Sequence, residues 1–190
     1  MEEKTKKIKV TRVENDIFFL SSIASNQLTK GKEEEDGFRF RWIIPSMAFS
    51  TFRIEALCNV FGSQLFPNWE LLESASFLGK VTLISKILKL DVDFSKEPWQ
   101  TLNNMKDFRN TLVHAKPQIS RITVDIPESF PDKAAGIPSS KKTVMAKYSL
   151  GTAEKFNEIA DDIYGMWLHQ STLLGHNVDV VGVVKYEIIE

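Results

Sequence analysis

The chain of 190 residues has a single cysteine, and no apolar run in it is long enough to span a membrane. One thiol excludes an internal disulfide and a thiolate cluster, and Cys58 lies in the apolar stretch 54–61, so we interpret it as a small buried hydrophobe. The charged start, MEEKTKKIK, is not followed by a signal-type apolar stretch. We therefore expect a soluble cytoplasmic protein with no membrane partner.

The chain also lacks an excess of charge of either sign. Its 24 basic and 25 acidic residues give a net charge of -1, so no global field attracts DNA or anionic lipid, and any polyanion would need a local basic patch. The three histidines share no metal-ligand spacing on one element, and there is no glycine-rich phosphate loop or nucleophile elbow. We predict no metal, no cofactor and no DNA partner.

What the chain has is helical periodicity and enough apolar residues, 43%, for a sizeable core. Apolar positions spaced at helical intervals predict five helices, and alternation after residue 117 predicts strands. The predicted helices are 14–30, 45–64, 69–90, 98–115 and 152–174, the predicted loops are 32–37 and 127–142, and the predicted strands are 122–126, 144–148 and one or two within 178–189.

These elements predict a mainly α, up-and-down helical bundle with a small β-sheet appended in the C-terminal half. We interpret residues 1–190 as one domain. Its bundle core would comprise about 14–117 and 152–174, with β-rich parts at about 118–150 and 178–190, and residues 1–9 would be frayed and solvated. The weakest point for a boundary is 117–150.

The helix predicted within Thr101–Pro117, TLNNMKDFRNTLVHAKP, separates its residues into two faces. One face is apolar and would pack on the core, and the opposite face is polar. Arg109 lies on the flank, from which its long side chain can reach the polar face. The apolar face holds Leu102, Met105, Phe108, Leu112 and Ala115, and the polar face holds Asn103, Asp107, Asn110 and His114.

The polar face carries groups suited to metal-independent RNA cleavage, in which the 2′-hydroxyl attacks the adjacent phosphorus. His114 can move a proton near neutral pH, and Arg109 can hold a phosphate oxygen and stabilise its growing charge. A histidine at a helix C-terminus is also favoured by the helix dipole without any function. Asp107 could contact Arg109 or a partner, although a surface carboxylate is by default solvated.

A second pair of polar residues lies on the predicted helix 45–64. Glu55 and Asn59 are one helical turn apart and could meet in a polar pocket. An interhelical hydrogen bond within the core is an equally good interpretation of the same pair.

The segment RNTLVHAKP resembles the signature of HEPN domains, in which an arginine, commonly followed by asparagine, precedes a histidine near the end of a long helix. FRIEALCN, apart from Arg53, and ESASFLGKVTLISKIL with Lys80 are similar to the preceding helices, so the resemblance covers roughly 42–117. It implies a helical bundle that dimerises through the motif helix. It also implies an RNase of a bacterial toxin–antitoxin or antiviral defence system, with His114 as acid/base, Arg109 stabilising the phosphate and Asn110 orienting the site.

The chain departs from that family in three ways. The strands predicted after 117 are not part of the minimal bundle, and they could serve a partner or block the cleft. Ala115 and Lys116 follow the histidine where some toxins carry a tyrosine that an antitoxin modifies, which puts that regulation by an antitoxin partner in doubt. The chain also lacks an aromatic and basic strand pattern for RNA binding. The alternative function is a non-catalytic interaction module whose Arg109 and Asn110 hold two protomers together.

Overall fold

A computed structural model describes residues 7–12, 15–114, 148–182 and 184–189 of the chain. This described part is mainly helical, which confirms the predicted fold class at that level. It comprises the strands β1 (Lys7–Arg12) and β2 (Val184–Ile189), a 3-10 helix (Trp69–Leu72), and the helices α1 (Ile17–Glu33), α2 (Phe40–Leu65), α3 (Phe77–Ile87), α4 (Trp99–Val113) and α5 (Leu150–Leu173).

The α1–α2 connection is shorter than the predicted loop, because α1 continues to Glu33 and α2 begins at Phe40 rather than at Pro45. Arg39 stabilises this tight connection, since its Nε donates to the carbonyl of Gly31 at 2.9 Å and its Nη2 to that of Glu34 at 2.8 Å. Pro45 therefore lies inside α2, beyond the first turn in which a proline is best tolerated.

The helix predicted over 69–90 is interrupted. The 3-10 helix ends at Leu72, and α3 begins only after Ser76, whose Oγ accepts a hydrogen bond from the backbone N–H of Gly79 at 3.1 Å. A serine that caps the first turn in this way starts a new helix. The other two predicted helices are confirmed to within two residues, and α5 begins at a capping box formed by Ser149 and Thr152.

The strand pair differs from the predicted C-terminal sheet. β2 lies in the predicted tail, but its antiparallel partner is β1, in the segment that we had expected to be frayed, with Lys7 opposite Ile189 and Arg12 opposite Val184. The expectation for residues 1–9 is therefore wrong for Lys7–Lys9. The alternating pattern of β2 predicts a strand but not its partner, which the ends of the bundle bring together. The predicted strand 122–126 lies outside the described residues, as does 144–148 apart from Tyr148.

α2 is the central helix, with α1 and α5 on one side and α3 and α4 on the other. Buried polar side chains join these layers. Ser46 of α2 donates to the carbonyl of Ala24 at 2.8 Å and accepts from Asn157 of α5 at 2.9 Å, so one hydroxyl connects three helices. The largest fully buried side chains are Trp167, Phe61, Phe108, Phe156, Ile17, Met47, Ile54, Leu57, Ile84, Leu88, Leu102 and Met105.

Arg53 is a charged residue in the core, 5% exposed, and its guanidinium forms an ion pair with Asp161 of α5. Its Nε has no hydrogen-bond partner among the described residues. Asp161→Ala should lower the free energy of unfolding by about 1 kcal/mol, because it leaves the buried cation without its carboxylate while water replaces part of that interaction.

Arg53→Met should change this free energy by less than about 0.5 kcal/mol, since it removes the cation together with the unpaired donor and keeps the volume of the side chain. Urea denaturation of the two variants, with the exposed neighbour Asp162→Ala as the control, measures the difference. A larger loss in Arg53→Met than in Asp161→Ala would contradict this account.

Cys58 is 1% exposed, as predicted for a small buried hydrophobe. Burial raises the pKa of its thiol far above the ordinary value, and the positive charge of Lys80 offsets this only in part. Because the thiolate is the reactive form, we expect no reaction with an aromatic disulfide reagent in the folded protein at pH 8. One thiol per chain should react in urea, and rapid labelling without urea would show that α2 opens locally.

Candidate functional site

Helix α4 carries the three predicted catalytic residues, and its first turn is fixed by Glu97. The Glu97 carboxylate accepts from the hydroxyl of Thr101 at 2.8 Å and from its backbone N–H at 3.3 Å, and a negative charge at a helix N-terminus is favourable. Leu102, Met105 and Phe108 are buried, which confirms that these three face the core. The remaining faces of α4 are therefore open to contacts with α2 or with solvent.

Arg109 is held by Glu55. The Nε of Arg109 lies 3.1 Å from Oε1 of Glu55, and both side chains are about one-third exposed, so the ion pair joins α4 to α2 at the edge of the bundle. Described residues supply no hydrogen bond to the two terminal nitrogens of Arg109. Since carboxylate–guanidinium pairs fix side-chain orientation, Glu55 limits the positions that this guanidinium can take.

Asn110 and His114 are exposed beside this pair. His114 is the residue at which α4 ends, and its backbone N–H donates to the carbonyl of Asn110 at 3.0 Å. The side chains of both residues lie one turn apart on the polar face, as the sequence predicts. Within one chain they border on solvent rather than on an enclosed cleft.

Asp107 is exposed and forms an ion pair with its neighbour Lys106, with 3.1 Å between Nζ and Oδ1. The contact between Asp107 and Arg109 that we considered is not present among the described residues. Asp107 therefore behaves as a surface carboxylate and adds nothing to the arrangement around Arg109.

The apolar face of α4 is not buried to its end. Leu112, predicted to face the core, is 42% exposed, and Val113 is 60% exposed. The helical spacing extends to Leu112, but the packing of the described residues covers only the turns as far as Phe108. Ala115, the last residue of the predicted apolar face, lies outside the described residues. Two apolar side chains thus lie next to the exposed Asn110 and His114.

Glu55 and Asn59 do not share one polar pocket. Glu55 contacts α4 through Arg109, whereas Asn59 lines a separate groove between α2 and α1. The two residues are close along the helix, but their neighbours differ because α2 is packed on several sides. The sequence singled out both Glu55 and Arg109 but did not pair them, although opposite charges on two predicted helices were a signal for such a contact.

Among the described residues, no group of three or more His, Cys, Asp or Glu side chains is arranged to hold a metal ion. The described helices also include none whose length and apolarity would let it cross a membrane. Comparison with protein-family models, with curated proteins and with solved structures finds no match for this chain.

Proposed function

We propose that this protein is a HEPN-type endoribonuclease of a bacterial defence or toxin–antitoxin system, which cleaves RNA without a metal as a homodimer. The observation that carries the proposal is the arrangement at the end of α4. Arg109 is oriented by Glu55, and the exposed Asn110 and His114 lie within one helical turn of it. The sequence motif and this arrangement together support a site for a phosphodiester.

The proposed reaction needs one proton acceptor, one proton donor and a group that stabilises negative charge. The 2′-hydroxyl loses its proton to an imidazole and attacks phosphorus, and the bond from phosphorus to the 5′-oxygen breaks as that oxygen gains a proton. The products are a 2′,3′-cyclic phosphate and a 5′-hydroxyl. In a homodimer the two copies of His114 would supply the acceptor and the donor, while Arg109 stabilises the phosphoryl oxygens.

A second copy of the chain is required by the geometry of the proposal. One chain offers a single exposed imidazole in an open position, and catalysis by charge stabilisation is far stronger where water is excluded. The exposed Leu112 and Val113 provide apolar surface for contact beside the motif. Apolar residues next to a polar site are typical of an interface that encloses it.

The same surface supports a second candidate function, a non-catalytic dimerisation module. The specific observation in its favour is the ion pair between Arg109 and Glu55, because a carboxylate at the guanidinium competes with a phosphate for the same cation. In this function Arg109 and Asn110 hydrogen-bond between protomers, and the histidines are sealed in the contact.

The test is incubation of the purified protein with RNA in EDTA, followed by analysis of the product ends. Cleavage with cyclic phosphate ends that disappears in both Arg109→Ala and His114→Ala is the expected result. Equal cleavage by those variants would refute the proposed site. Absence of cleavage by a protein that light scattering shows to be a dimer would favour the second function.

A further inference from the structure

A groove of about 780 Å³ lies on the bundle at a distance along the chain from the α4 motif. The start of α1, the second half of α2, the 3-10 helix and residues 179–182 form its walls. Neither Arg109, Asn110 nor His114 lines it. Its volume lies within the range typical of small-molecule sites.

Hydrogen bonds hold the wall made by residues 179–182 in place. Asn15 Nδ2 donates to the carbonyl of Val180 at 2.7 Å. The amide of Gln64 makes two bonds with the backbone of Asp179, at 2.9 Å to its carbonyl and 2.8 Å from its N–H. The groove is thus built by contacts among three separate segments, which makes it a formed feature of the fold.

The groove combines an apolar surface with acidic side chains. Phe19, Val60 and Trp69 are among its apolar lining residues, and Asp16, Glu73 and Asp179 are its acidic ones. The described lining residues include no lysine, arginine or histidine. Three carboxylates with no basic partner in one concave site give a negative potential that attracts a cation, and the aromatic rings add a favourable surface for it.

Trp69 adds an independent observation. It is 4% exposed, it lines the groove, and its indole Nε1 has no hydrogen-bond partner among the described residues. Buried donors in proteins nearly always have an acceptor. The described chain supplies none here, so a ligand that carries an acceptor would satisfy this N–H.

We propose that the groove binds a small organic cation that has an apolar body and a hydrogen-bond acceptor. The ammonium or guanidinium group lies among Asp16, Glu73 and Asp179. The apolar body packs between Phe19 and Trp69, and the acceptor takes the indole N–H. This binding site is independent of RNA cleavage, since it uses none of the residues of the α4 motif.

The test uses N-(4-aminobutyl)benzamide, which has a phenyl ring, an amide carbonyl and an ammonium group, and the neutral N-butylbenzamide, which lacks only the ammonium group. Amide chemical shifts of the full chain are followed by NMR during each titration. We expect a saturable response with a Kd below about 1 mM for the cation, and binding at least about fivefold weaker for the neutral compound. The shifts should be confined to the walls of the groove.

The double variant Asp16→Asn, Glu73→Gln should weaken binding of the cation by about fivefold and leave binding of the neutral compound unchanged. Glu70→Gln, an exposed carboxylate on the same 3-10 helix that does not line the groove, is the matched control and should bind as the wild type does. Trp69→Phe, which keeps the ring and removes the N–H, should weaken both compounds. Equal affinity for the two compounds, no saturable response, or shifts elsewhere on the bundle would overturn the proposal.

Discussion

His114→Ala is expected to lower the rate of RNA cleavage by a factor of about 10²–10⁴, the usual contribution of a general acid or base. Without the imidazole the 2′-hydroxyl has no proton acceptor and the 5′-oxygen no donor, and in a homodimer one substitution removes both. Arg109→Ala should cost a comparable factor of about 10²–10³, because the charge on the phosphoryl oxygens is no longer stabilised. Single-turnover cleavage of a labelled RNA in EDTA measures both effects.

Three controls separate chemistry from folding. His169→Ala changes an exposed histidine on α5 and should leave the rate unchanged. Glu55→Gln breaks the same ion pair as Arg109→Ala but keeps the guanidinium, so it should lose less activity. Because that pair is partly exposed, its loss should cost at most about 1 kcal/mol of stability in either variant. A rate in His114→Ala equal to that in His169→Ala would refute the assignment.

Gly62→Ala is expected to lower the free energy of unfolding by about 2 kcal/mol. The Trp69 ring packs directly on Gly62, and a Cβ there would stand 2.5 Å from Cζ2 of that ring and closer still to Cε2. Trp69 is buried, so the ring cannot swing into solvent. Overpacking of this kind costs about 3 kcal/mol, and the higher helix propensity of alanine returns about 1 kcal/mol.

The matched control is Gly165→Ala on α5. This glycine is exposed and a Cβ on it would meet no atom within 4 Å, so the substitution should stabilise the protein by about 0.5–1 kcal/mol through helix propensity alone. Thermal and urea denaturation of the two variants should shift in opposite directions. Stabilisation by both substitutions would show that the contact between Gly62 and Trp69 does not constrain the fold.

Local sequence signals predicted the helices well and their ends less well. The spacing of apolar residues placed α1, α2, α4 and α5, since a helix buries one face and its period appears directly in the sequence. The errors arose where a side chain decided the end of an element. The Arg39 contacts let α2 begin before Pro45, and Ser76 starts α3 after a break that periodicity does not reveal. Such contacts depend on which carbonyl or N–H lies nearby in space.

The sequence by itself determined that this protein is mainly helical, and it placed Arg109, Asn110 and His114 on one helix, because both follow from spacing along the chain. Only the tertiary structure decided that Glu55 holds Arg109, that β1 pairs with β2, and that the last apolar turn of α4 is exposed. It also decided that carboxylates from three distant segments share one groove with Trp69. These features join residues far apart in sequence, and their positions are fixed by how the helices pack rather than by any local pattern.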